Sequence, residues 1–124
     1  MQVLIVDSSI EVIERLEEIL GEADNITAIH SAVSYEEAAR FLKENKTDVM
    51  LLDCSLPENG SLKLLTEIKI PGSNTCVIIL SILEDNNYKE ELCKSLGADY
   101  FLDKYLEFEK IPGILNAIAG KAQK

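Results

Sequence analysis

Cysteine is scarce in this chain. Cys54, Cys76 and Cys93 are odd in number, widely spaced and without a CxxC pair. That argues against a disulfide framework or a zinc ribbon and fits a reducing compartment. Long hydrophobic runs are missing as well, and none approaches the ~20 residues of a membrane span. The first apolar stretch, Val3–Val6, stops at Asp7, so it does not read as a signal peptide. Basic residues are few: 12 Lys and Arg stand against 22 Asp and Glu, a net charge of −10. Phosphate backbones repel such a chain, which excludes nucleic acid as a direct partner. Repeats, low-complexity tracts and linkers are absent. The expectation is a small, acidic, cytoplasmic domain with no membrane attachment.

What is present is enough for a core. With 124 residues, 47% of them hydrophobic, the chain fits one domain spanning 1–124, with no room for an output domain. A fold of this size hides roughly two-thirds of the surface its unfolded form exposes. Short apolar runs alternate with amphipathic stretches. Val3–Val6, Val49–Leu52 and Cys76–Leu80 have the length of buried strands and are too continuous for one wet face. Ile26–Ser31 and Tyr100–Leu102 are mixed runs suited to strands nearer an edge.

Helical stripes fall between the runs. They are Ile13, Leu16 and Leu20 before Gly21; Tyr35, Ala38, Ala39 and Leu42; Leu62, Leu65 and Ile68 before Pro71; Tyr88, Leu92 and Leu96 before Gly97; and Ile111, Ile114, Leu115 and Ile118. Pro112 forbids an unbroken helix from Leu106, so a turn comes first and the last helix starts near Pro112. Ser8-Ser9-Ile10-Glu11 and Ser34-Tyr35-Glu36-Glu37 read as capping boxes. The pattern is (βα)5. Right-handed crossovers then give an α/β doubly wound five-stranded parallel sheet, strand order 2-1-3-4-5.

Ligands of such sheets sit beyond the carboxyl ends of the strands. There the first run ends in Asp7, the third in Asp53, the fourth in Ser81, and the fifth runs out at Lys104. Two carboxylates, a hydroxyl and an ammonium at one end suit a divalent cation plus a phosphoryl group. The three cysteines read as small apolar residues, and His30 as a solvated edge-strand residue.

Val3-Leu4-Ile5-Val6-Asp7, Leu51-Leu52-Asp53-Cys54-Ser55-Leu56-Pro57, the strand ending in Ser81, and Gly97-Ala98-Asp99-Tyr100-Phe101-Leu102-Asp103-Lys104 together resemble the receiver family of two-component response regulators. The resemblance runs from about Gln2 to Ile118 and implies the receiver (flavodoxin-like) fold in a single-domain protein. It implies that Asp53 is the phosphoacceptor, taking a phosphoryl group from a histidine kinase or phosphotransfer protein with Mg²⁺ as cofactor. Asp7, Asp53 and the Ser55 main-chain carbonyl would then hold the metal. Ser81 would be the switch hydroxyl, Lys104 the partner of the phosphoryl oxygens and Phe101 the switch aromatic. The implied output is a protein partner bound through helix four, strand five and helix five of a monomer or weak dimer. On this reading the chain is a signalling phosphoprotein and not an enzyme.

Four positions depart from the family pattern. Ser8 stands where a second acid is usual, Ile82 where a small residue follows the switch hydroxyl, and Tyr105 where a proline follows the lysine. Ser61 stands where a glycine commonly opens helix three, with Gly60 one position earlier. Ser8 bears on metal affinity, and Ile82 on access to the pocket. They favour the alternative of a pseudo-receiver, a binding module independent of phosphorylation. A flavodoxin-like FMN carrier would want a hydroxyl-rich phosphate loop after strand one, where Asp7 instead places an acid. A hydrolase with an aspartyl nucleophile would want Asp-x-Asp, and Asp53-Cys54-Ser55 lacks the second acid.

Overall fold

The computed structural model describes residues 1–82 and 87–122. Five strands, β1 Gln2–Val6, β2 Ala28–Ala32, β3 Val49–Asp53, β4 Cys76–Ser81 and β5 Tyr100–Asp103, form one parallel sheet in the order β2-β1-β3-β4-β5. The helices between and after them are α1 Ile10–Leu20, α2 Tyr35–Glu44, α3 Gly60–Ile68, α4 Asn87–Ser95 and α5 Ile111–Ala122. A 3₁₀ turn over Phe108–Lys110 precedes α5, which begins beside Pro112 as the missing N–H of proline requires.

The period-two alternation of the strands divides the core. Val3, Ile5, Val49, Leu51, Ile78 and Leu80 pack under α1 and α5, against Leu16, Leu20, Ile111 and Leu115. Leu4, Val6, Met50, Leu52, Val77 and Ile79 face the other layer, against Ala38, Leu64, Leu65 and Cys93. All five β3 residues are buried, so β3 is the central strand. Each fully buried leucine or isoleucine contributes roughly 1.5–3 kcal/mol relative to an exposed one.

Several sequence expectations shift in detail. The second strand starts later than Ile26, at Ala28. The cap of α1 is Ser9, whose Oγ accepts from Val12 N at 3.3 Å; Ser8 is exposed and is not the cap. The reason is Asp7, whose Oδ1 accepts the Ser9 N–H at 2.8 Å and turns the chain one residue later. Ser34 does cap α2, and Glu37 returns its carboxylate to Val33 N. On α3 the deep positions are Leu64 and Leu65, with Leu62 only half-buried. On α4 the deepest described side chain is Cys93, between the half-buried Leu92 and Leu96. The side chain of Tyr88 lies outside the described residues.

Candidate functional site

The carboxyl ends of β1 and β3 lie side by side where the crossovers part to opposite faces of the sheet, and β5 follows beyond β4. Backbone pairing runs one step past the strands there. Asp7 N donates to Ala32 O at 3.1 Å, Cys54 N to Leu80 O at 3.0 Å and Lys104 N to Ser81 O at 2.8 Å. Asp7 and Lys104 are therefore held by hydrogen bonds that continue the sheet, as is Cys54 next to Asp53. Asp7, Asp53 and Lys104 are all buried, at 1%, 4% and 8% exposure.

Lys104 Nζ lies 2.8 Å from Asp7 Oδ2 and 3.5 Å from Asp53 Oδ1. The two carboxylates share a device. Asp7 Oδ1 accepts from Ser9 N, and Asp53 Oδ1 accepts from Ser55 N at 3.0 Å. Each spends one oxygen on the amide two residues ahead, which fixes its rotamer and leaves the other oxygen for the pocket.

Burial pushes the Asp53 carboxyl above the ordinary range. The Ser55 amide opposes this shift, the negative charge of Asp7 adds to it, and Lys104 opposes it. For Lys104, burial pulls the ammonium downward, but Asp7 and Asp53 outweigh it and the net shift is upward. A cation held between two anions stays charged. It neutralises one of them and leaves the pocket one negative charge in excess.

Ser81 ends β4, one residue past Leu80, the register partner of Asp53. Among the described residues no hydrogen bond joins its Oγ to either carboxylate. Ile82, which follows Ser81, is 52% exposed. Phe101 is half-buried in the α2–α3–α4 layer, with Lys94 Nζ 5.4 Å from its ring centroid. Ser55 is exposed beside Asp53.

Asp7 Oδ2 is buried, with Lys104 Nζ 2.8 Å away as its partner. A buried carboxylate oxygen of this kind suits an oxygen-seeking cation. Among the described residues no cluster of three or more His, Cys, Asp or Glu side chains is poised for a metal. Two carboxylates nonetheless suffice for Mg²⁺, which keeps several waters and takes phosphate oxygens.

One residue of consequence escaped the sequence reading. Ser61, noted only as a departure from glycine, is 2% exposed and bonded to the Asp53 carbonyl oxygen at 2.6 Å. A serine in the first turn of a helix is ordinary in sequence, and only the fold brings it beneath the acid.

This fold is matched by known proteins. The model of the response regulator receiver domain fits residues 3–116. The chain belongs to that family, the receiver domains of two-component response regulators. Among curated relatives, the transcriptional regulatory protein MalR of Bacillus subtilis is 28% identical over 116 residues, covering 94% of this chain and 49% of the relative. A protein-glutamate methylesterase/protein-glutamine glutaminase of Clostridium acetobutylicum is 28% identical over 105 residues, covering 84% of this chain and 30% of the relative. The chain thus spans about half or less of the length of these relatives. Among solved structures, a receiver domain of a Francisella response regulator superposes with a TM-score of 0.82 at 25% identity, covering 98% of each chain. Receiver domains are signalling domains, and the family typically uses Mg²⁺ at its phosphorylation site. No helix among the described residues is long and apolar enough to cross a membrane.

Proposed function

We propose that residues 1–124 act as a single receiver unit that accepts a phosphoryl group on Asp53 from a phosphohistidine of a kinase or phosphotransfer protein in the cytoplasm. The observation that carries the reading is Asp53 itself, a buried acid closing the central strand with an ammonium 3.5 Å away. A carboxylate oxygen of Asp53 attacks phosphorus, the O–P bond forms and the donor's P–N bond breaks. The electron pair leaves with the imidazole. Oδ1 is engaged by Ser55 N, which turns the other oxygen toward the donor.

Lys104 is already charged and buried beside the site, so its charge is in place to neutralise phosphoryl oxygens. Asp7, Asp53 and the Ser55 main-chain carbonyl would hold Mg²⁺, which supplies positive charge opposite the phosphoryl oxygens when bound. Ser81, at the end of β4, would follow the phosphoryl group, and Phe101 would pass the change to the α4–β5–α5 face. Partners of this face are proteins, and the unit works as a monomer or weak dimer.

Intact-mass analysis after incubation with acetyl phosphate and Mg²⁺ tests the reading. The chain is expected to gain one phosphoryl group and Asp53→Asn none. Equal labelling of the variant would overturn the assignment. The pseudo-receiver reading, which Ser8 and Ile82 favour in the sequence, draws structural support from the Asp7–Lys104 pair, which leaves the empty pocket partly neutralised. A wild-type chain that gains no mass would favour it.

A further inference from the structure

The first turn of α3 carries a buried hydroxyl that no step above uses. Ser61 Oγ donates to the Asp53 carbonyl oxygen at 2.6 Å and accepts the Leu56 N–H at 3.3 Å. One side chain thus ties the end of β3, the turn after it and the first turn of α3 together. Between these anchors, Glu58 and Asn59 hold φ of 58° and 60°. Two successive non-glycine residues in the left-handed region persist only where their surroundings hold them there.

Gly60 fixes the register of the latch. A Cβ at this position would stand 3.1 Å from Tyr35 Cβ and 3.3 Å from Leu56 Cβ. The close approach of Tyr35 and Leu56 therefore favours glycine at 60, and the hydroxyl falls at 61, beneath Asp53.

We propose that Ser61 is a positioning residue for the phosphoacceptor. Its two hydrogen bonds set the path of the turn over residues 53–56. They thereby set the direction of the Asp53 carboxylate and of the Ser55 main chain beside it. A glycine at 61 has no hydroxyl and could not make this latch. The inference rests on Asp53 being the acceptor. Small misplacements of a reacting group lower rates steeply, by up to ~10²-fold for about 1 Å.

The experiment compares wild type, Ser61→Ala and Ser61→Cys, each shown folded by circular dichroism at the assay temperature. Initial labelling rate with acetyl phosphate and Mg²⁺ is measured per folded molecule, alongside beryllofluoride affinity. Ser61→Ala is expected to label about tenfold more slowly at saturating donor and to bind beryllofluoride correspondingly more weakly, with labelling still confined to Asp53. Ser61→Cys keeps a hydrogen-bonding group here, somewhat larger than the hydroxyl, and weakens both hydrogen bonds, so it should fall between. It decides the matter if Ser61→Ala does not fold. A lower melting temperature with unchanged rate and beryllofluoride affinity would reduce Ser61 to a structural hydroxyl and overturn the proposal. A wild type that takes up no phosphoryl group would instead overturn the acceptor reading.

Discussion

Asp53 is stored in a form the fold does not favour. Its carboxyl is raised above the ordinary 3.8 chiefly by burial, so the folded state holds the proton more firmly than the unfolded state. Stability therefore falls as pH rises from about 3.8 through the raised value, and the ionised site is the less stable one. Asp53→Asn, which resembles the protonated acid, is expected to melt above wild type at pH 7, with the gap closing toward pH 4. A gap that does not narrow on acidification would remove burial as the cause. At Ser8 the expectation concerns charge. Ser9 holds the α1 cap, so Ser8→Asp leaves the helix start intact while adding an acid beside the pocket. Calorimetric Mg²⁺ affinity should rise about ten- to thirtyfold, roughly one to two kcal/mol after desolvation and carboxylate repulsion offset much of the Coulomb gain. Tyr105 departs from the family pattern for a visible reason. Its φ is 81°, which proline cannot adopt. Tyr105→Pro should therefore lower stability by at least ~1–3 kcal/mol in urea unfolding instead of restoring the family loop.

The elements were readable because each carries its own period and its own stop. Three continuous apolar runs identified the inner strands, and the polar residues ending them marked three of the four groups gathered at the sheet's end. What the sequence withheld were choices between chemically equal neighbours. Ser8 and Ser9 offer the same hydroxyl, and the Asp7 carboxylate decides between them through the Ser9 amide. Leu62 and Leu64 are equally apolar, and only the docking angle of α3 selects Leu64. The pairing of Lys69 Nζ with Asp99 Oδ2 at 2.6 Å, which also receives Val77 N, joins residues thirty positions apart that no local pattern links. For the proposed α4–β5–α5 face, the expectation is directional. Beryllofluoride with Mg²⁺ should shift amide resonances of β5, the following turn and α4, beginning at Phe101 and Lys94. Residues 83–86, part of the same expected face, lie outside the described residues. Shifts confined to residues flanking Asp7 and Asp53 would favour the phosphorylation-independent reading.

For the molecule as a whole, the two core layers lie on opposite faces of one sheet, and both rest on β3. Leu51 and Leu52 point into different layers and are fully buried, so Leu51→Ala and Leu52→Ala should each cost about 2–5 kcal/mol in chemical denaturation. Ligand linkage acts in the other direction: beryllofluoride at a hundred times its dissociation constant would add ~2.7 kcal/mol if it binds the folded state alone. The hydrogen bonds running one step past the strands at Asp7, Cys54 and Lys104 bear on the timescale of the switch. Amides at these positions should exchange with deuterium as slowly as those of the central strands, because releasing them requires the sheet itself to open. A phosphoryl group arriving at Asp53 would then meet a floor that stays closed for as long as the protein is folded. Whatever changes on phosphorylation must be carried by the side chains and connections standing above that floor, and the sheet would keep the same exchange clock in both states.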